Sequence, residues 1–376
     1  MRARFRNLEI DTLSMAVDKS QIETKLGQVI DPNMETDLVS SKAVKSIEQD
    51  GDNCKIQIQL GYPAAGYFDS LKQEIEVALS DLEGIGSVEV EVSSLVKSHA
   101  VQQNLKPLTG IKNVIAVASG KGGVGKSTTA VNLALAMQAE GATVGILDAD
   151  IYGPSIPRML GCKGQPESSD GKSLEPMVGH GIQSMSIGYL VEEDTPMIWR
   201  GPMVTQALEQ LLNDTRWSDV DYLIIDLPPG TGDIQLTLAQ KIPVSGAVIV
   251  TTPQDIALLD ARKGLKMFEK VEVPVLGIIE NMSIHICSQC GHSEHIFGEG
   301  GGARMSAEHG VDLLGSLPLD IHIREQSDSG NPTVAAMADS SIASIYREVA
   351  RKTAAKLATQ ARDHSAAFPN IVIQNN

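Results

Sequence analysis

Gly120-Lys121-Gly122-Gly123-Val124-Gly125-Lys126-Ser127-Thr128 lies between an apolar run, Val114 to Ala118, and a stretch of helical pattern, Thr128 to Gln138. The glycines lack Cβ atoms, so this backbone can curl and aim its N–H groups inward at phosphate oxygens. Lys126 places a compact positive charge at the β- and γ-phosphates, and the Ser127 hydroxyl is suited to hold Mg²⁺. A helix that begins where the loop ends adds a potential that favours an anion. Strand, loop and helix in this order predict a nucleoside triphosphate site.

Outward from the loop, short apolar runs alternate with helical patterns. Val114–Ala118, Thr143–Asp148, Tyr222–Asp226, Gly246–Thr251, Val275–Glu280 and Asp312–Ser316 read as strands. Their near-continuous hydrophobicity predicts a doubly wound α/β domain, with a mostly parallel sheet covered by helices on both faces. It is expected over residues 113–362, with a loose tail over 363–376. Residues 17–95 read as a separate small α+β domain. It has helices at Ile22–Val29 and Phe68–Leu82, and alternating strands at Cys54–Leu60 and Val88–Val92. The polar stretch 96–112 reads as a linker.

Bulk properties narrow the function. A chain of 376 residues with 42% hydrophobic content can bury a core in each of two domains. A formal net charge of −16 argues against nucleic acid or an anionic membrane as partner. No apolar stretch reaches the ~20 residues that span a bilayer. The basic start, Met1 to Arg6, runs into Asp11 without an apolar core, unlike a secretory signal. Four cysteines in a chain of this size fit a reducing compartment, so a cytoplasmic location is expected.

Three carboxylates fall where apolar strands end, the ligand edge of a parallel sheet. Asp226 closes Tyr-Leu-Ile-Ile-Asp and is expected to anchor the Mg²⁺ shell. Asp148 and Asp150 close Val-Gly-Ile-Leu-Asp-Ala-Asp; one would orient the metal shell, Asp148, and the other polarise the attacking water, Asp150. Capping of the following helices is the alternative for all three.

Taken together, the two-lysine loop, Asp148-Ala-Asp-Ile-Tyr-Gly-Pro-Ser155 and Asp226-Leu-Pro-Pro-Gly-Thr-Gly-Asp233 resemble the deviant Walker-type ATPases. That group includes MinD, the ParA partition proteins, the arsenite-pump ATPase and the nitrogenase iron protein. Trp199 to Met203, Thr251 to Asp255, Glu280 to Ser283 and Gly315 to Asp320 are similar to the Mrp/ApbC branch of iron–sulfur cluster carriers. The N-terminal Val29-Ile-Asp-Pro32 resembles the small domain often fused to that branch. The resemblance implies a homodimer in which Lys121 reaches the phosphates bound by the other subunit. It also implies that Asn281 contacts the adenine; a turn-forming asparagine is the competing reading.

Cys287-Ser-Gln-Cys290 lets two thiolates converge on one soft metal centre. By the resemblance, two chains would supply four thiolates to a 4Fe–4S cluster, carried to recipient apoproteins. Two alternatives stay open: a zinc site closed by His292 and His295, and a dithiol–disulfide switch. Cys54 and Cys162 are expected to be incidental. A different class, the ATP-gated positioning or partition switch of the MinD/ParA type, would need a membrane- or DNA-facing surface. The basic helix expected over 342–362 reads instead as a packing helix, because its apolar side is mostly alanine.

Overall fold

A computed structural model describes residues 18–103, 105–191, 201–287 and 289–361. The basic start, the tail over 363–376 and the pair Trp199-Arg200 lie outside the described residues. The chain divides into two compact units.

The first unit comprises residues up to 60 and 67–94. It contains α1 (Lys19–Leu26), β1 (Val44–Asp50), β2 (Asn53–Leu60), α2 (Phe68–Leu79) and β3 (Ser87–Ser94). The sheet order is β1-β2-β3, antiparallel then parallel. Alternation decides its faces: Cys54, Ile56, Ile58 and Leu60 point into the core, with Ile22 and Leu26 of α1 and Leu71, Ile75 and Leu79 of α2 buried. Asp18 caps α1 by accepting the Ser20 N–H. Strand β1 was not expected from the sequence. Its Lys45, Ser46, Glu48 and Gln49 break the apolar alternation, and none of its residues is fully buried.

The second unit is organised by an eight-stranded sheet. Its strands are β4 (Ile111–Ala118), β5 (Val144–Asp148), β6 (Met177–Gly179), β7 (Ile182–Ser186), β8 (Val220–Asp226), β9 (Gly246–Thr251), β10 (Val275–Glu280) and β11 (Leu313–Ser316). The order is β11-β10-β9-β4-β8-β5-β7-β6, parallel throughout except for the antiparallel edge pair β6–β7. The doubly wound α/β fold is thus the observed one, with the β6–β7 hairpin added at one edge. That hairpin escaped the sequence because its strands are short and turn on Gly179-His-Gly181 without a continuous apolar run.

Helices α3 (Lys126–Ala139), α5 (Gly201–Asp214), α6 (Asp233–Lys241), α7 (Asp255–Lys270), α8 (Gly301–His309) and α11 (Ser341–Ala358) cover the sheet, with short α4 (Ile156–Met159), α9 (Ile321–Asp328) and α10 (Thr333–Ala336) between them. In α3, every residue from Thr129 to Met137 is buried, polar Thr129 and Asn132 included, so this stretch has no exposed face. It packs between the sheet and α11. The apolar side of α11, including Ile342, Tyr346, Val349 and Leu357, is buried in this packing, as the alanine-rich pattern predicted. Glu140, fully buried, accepts from both Arg347 and Arg351 of α11 and ties the two helices together. Among the described residues, no helix is long and apolar enough to cross a membrane.

Candidate functional site

Register places the site. Asp226 pairs with Val117 of β4 on one side and with Asp148 of β5 on the other. The Ala149 N–H donates to the Asp226 carbonyl and the Leu227 N–H to the Val117 carbonyl, so these three strand ends are locked side by side. The loop that leaves β4 therefore curls directly over the two carboxylates.

Gly123 and Gly125 of this loop lie in the left-handed region, at φ 82° and 81°. At Gly125 a Cβ would also collide with the Asn281 amide. Glycine is needed there on both counts. Lys126 opens α3 and buries its side chain, with Nζ 2.5 Å from Asp226 Oδ1 and 3.3 Å from Ser127 Oγ. A cleft of about 240 Å³ is lined by Lys121, Gly122, Gly123, Gly125, Lys126, Ser127, Thr128, Asp150 and Ser155, among others. Lys121 is half-buried at this cleft, and its ammonium has no acidic partner among the described residues.

The carboxylates differ sharply. Asp226 is fully buried, and its Oδ2 has no hydrogen-bond partner among the described residues. That orphaned oxygen and the Ser127 hydroxyl, both of whose side chains Lys126 Nζ reaches, are donors of the kind Mg²⁺ accepts. Both oxygens of Asp148 are already occupied: Oδ1 accepts the Asp150 N–H, and Oδ2 accepts from Ser155 N, Ile156 N and Ser186 Oγ. Asp148 thus shapes the loop that carries Asp150. Asp150 faces the cleft half-buried, its carboxyl raised above the usual range first by burial, while Lys126 pulls it down and Asp226 pushes it up.

The Asp148 carboxyl is pushed up to about 7, first by burial and then by the charge of Asp226, against the Ile156 N–H, Lys126 and the Ser186 hydroxyl. An unfolded chain would bind this proton only near 3.8. Between those values the folded protein holds more protons, so its stability falls as pH rises. The nucleotide-free protein should therefore lose thermal stability from about pH 4 through about pH 7. Asp148→Asn should flatten that slope in melting curves; an equally steep profile in the variant would place its origin elsewhere.

Asn281 is buried and donates from its amide to the Val124 carbonyl at 2.8 Å. Its backbone N–H is taken by the Thr251 carbonyl. It therefore braces the phosphate-binding loop, a role no sequence pattern signals because it joins residues 157 apart.

The thiol pair sits on a small hairpin. His285–Ile286 pairs with Ser293–Glu294, the Cys287 N–H donates to the His292 carbonyl, and Gly291 turns at φ 71°. Cys287 is half-buried and Cys290 exposed, both as free thiols. Backbone N–H groups of Cys290 and Gln289 pull the Cys287 thiol below its ordinary value, with help from the Cys290 thiol and His285. His295 is turned towards the Ser283 carbonyl at 2.8 Å. No group of three or more His, Cys, Asp and Glu side chains converges as a metal site among the described residues. The zinc alternative, which needed Cys287, Cys290, His292 and His295 to close within one chain, is not assembled. Cys54 is buried in the small domain's core, where burial raises its thiol, and Cys162 is half-buried in the second unit.

The family described as NUBPL iron-transfer P-loop NTPase matches residues 110–354, and that of the iron–sulfur cluster assembly protein matches residues 19–92. The iron-sulfur cluster carrier protein of Escherichia coli K12 is 52% identical over 327 residues, covering 87% of this chain and 89% of that protein. The iron-sulfur cluster transfer protein NUBPL of Mus musculus is 52% identical over 254 residues, 67% of this chain and 80% of that protein. A nucleotide-binding protein of Archaeoglobus fulgidus, solved in complex with ADP, is similar at 39% identity and a TM-score of 0.52. It covers 59% of this chain and 88% of that one.

Proposed function

The chain belongs to the NUBPL iron-transfer P-loop NTPase family, and from that membership we propose an ATP-dependent carrier. It gathers an iron–sulfur cluster between two copies of itself and hands it to apoproteins. The observation that carries this reading is the accessible thiol pair on the Cys287–Cys290 hairpin, which finds no third ligand among the described residues of its own chain. Two thiolates half-fill the coordination of a four-iron cluster, and a two-fold axis supplies the other two. A cargo held at a shared, exposed rim is also easily given up, as delivery requires.

ATP hydrolysis, the general activity of such NTPases, would be performed at the β4–β8–β5 strand ends. Backbone N–H groups of residues 120–128 cradle the phosphates, and Lys126 meets the β- and γ-phosphate oxygens. The Ser127 hydroxyl and the free Asp226 oxygen would hold Mg²⁺, whose charge neutralises the phosphates. Asp150, with its raised carboxyl, orients and polarises a water that attacks the γ-phosphorus; ADP and inorganic phosphate leave. Lys121, which has no acidic partner among the described residues, would serve the site of the second copy. Turnover would change the placement of the two subunits and so the exposure of the cargo.

Anaerobic loading with iron and sulfide tests the shared site. About one four-iron unit per two chains should form, and light scattering should shift from one chain to two on loading. A fully loaded single chain would refute the shared ligation.

A further inference from the structure

The Lys126 ammonium already engages the Ser127 hydroxyl and one of the two carboxylate oxygens of Asp226. It contacts Asp226 Oδ1 at 2.5 Å and Ser127 Oγ at 3.3 Å, the two side chains on which the metal reading rests. The lysine side chain is 6% exposed and the aspartate 0%, so the pair is almost wholly buried at the floor of the cleft. We propose that Lys126 is a stand-in cation, holding Asp226 and Ser127 closed to divalent metal until nucleotide phosphates draw it away. This rests on the nucleotide reading above.

The physical reasoning starts from Asp226. A buried carboxylate left without a positive partner is strongly destabilising, so this one needs a cation at all times. A second cation beside the ammonium would meet like-charge repulsion in a poorly screening interior. Mg²⁺ also sheds its waters reluctantly and tolerates only near-ideal oxygen geometry. Asp148 offers no alternative anchor, since four donors occupy its oxygens. Lysine suits the task because its point charge rides on a flexible stem and can swing from carboxylate to phosphate. When phosphates take the ammonium, Asp226 needs a new cation at that moment. Metal and nucleotide therefore enter together, each raising the affinity of the other by the same factor. When phosphate leaves, the lysine returns and closes the position again.

The test uses Mn²⁺ as probe, titrated by electron paramagnetic resonance into the full chain without nucleotide. Lys126→Ala should bind one Mn²⁺ more than about tenfold more tightly than the wild type, and Lys126→Ala with Asp226→Asn should lose that gain. Mn²⁺ should also raise the melting temperature of Lys126→Ala and leave that of the wild type unchanged. Lys126→Gln carries the same comparison should the alanine variant not fold. Equal Mn²⁺ affinity in wild type and variant, with the variant folded by circular dichroism, overturns the proposal. Absence of ATP binding by the wild type would instead overturn the nucleotide reading; ATP binding without a gain in Mn²⁺ affinity overturns the stand-in role alone.

Discussion

Lys126→Ala should abolish ATP hydrolysis, with kcat falling by at least about a hundredfold, the usual loss when a charge-stabilising group is removed from a reacting centre. Among the described residues the wild-type lysine is the one cation bonded to Asp226, and it begins the helix whose N-terminus faces the cleft. Its loss removes positive charge from the phosphates and leaves a buried carboxylate unpaired. The second effect has its own signature: breaking a buried pair on one side costs roughly 3–5 kcal/mol. The nucleotide-free variant should therefore melt well below the wild type. Phosphate release from purified, folded variant is the deciding measurement, and undiminished turnover would move the reaction away from this loop.

That pair also marks where the sequence stops being legible. The phosphate-binding loop and its strand–helix setting could be read directly, because each residue type answers a local requirement. Strands β9 and β10 have the bounds their apolar runs announce. What the sequence did not contain is the order of strands. Nothing local says that β8 inserts between β4 and β5, yet that insertion sets Asp226 beside both Lys126 and Asp148. The same holds for Asn281, whose bond to Val124 depends on β9 and β10 lying on the other side of β4. Asp148 and Asp226 look alike as strand-end acids, and only their partners separate them. One is saturated by four donors, while the other keeps an oxygen without a partner among the described residues. Edge elements were hidden for a different reason. Strand β1 and the β6–β7 hairpin are half-exposed or short, so no strong apolar period betrays them.

Replacing both Cys287 and Cys290 by alanine should abolish cluster loading. After anaerobic reconstitution the variant should lack the brown absorbance at about 400 nm and retain no stoichiometric iron or sulfide, because thiolates are the ligands of such clusters. The hairpin backbone favours this chemistry: the N–H groups of Cys290 and Gln289 turned on Cys287 lower its thiol, so more of it is thiolate near neutral pH. Either single variant should fail too, since each copy would then offer one thiolate and a pair of chains only two. Loss of fold is a poor alternative explanation. Cys290 is exposed, where substitution typically changes stability by roughly 0.5 kcal/mol or less. Neither thiol belongs to the phosphate-binding loop, so ATP binding should persist in the double variant and serve as the internal control. Full iron and sulfide content in that variant would exclude this hairpin as the ligand source. It would leave Cys54, sealed in the small domain's core, and half-buried Cys162 as the remaining thiols of the chain. Neither has a second cysteine at chelating spacing, so a cluster that survived there would need a coordination unlike any this fold presents.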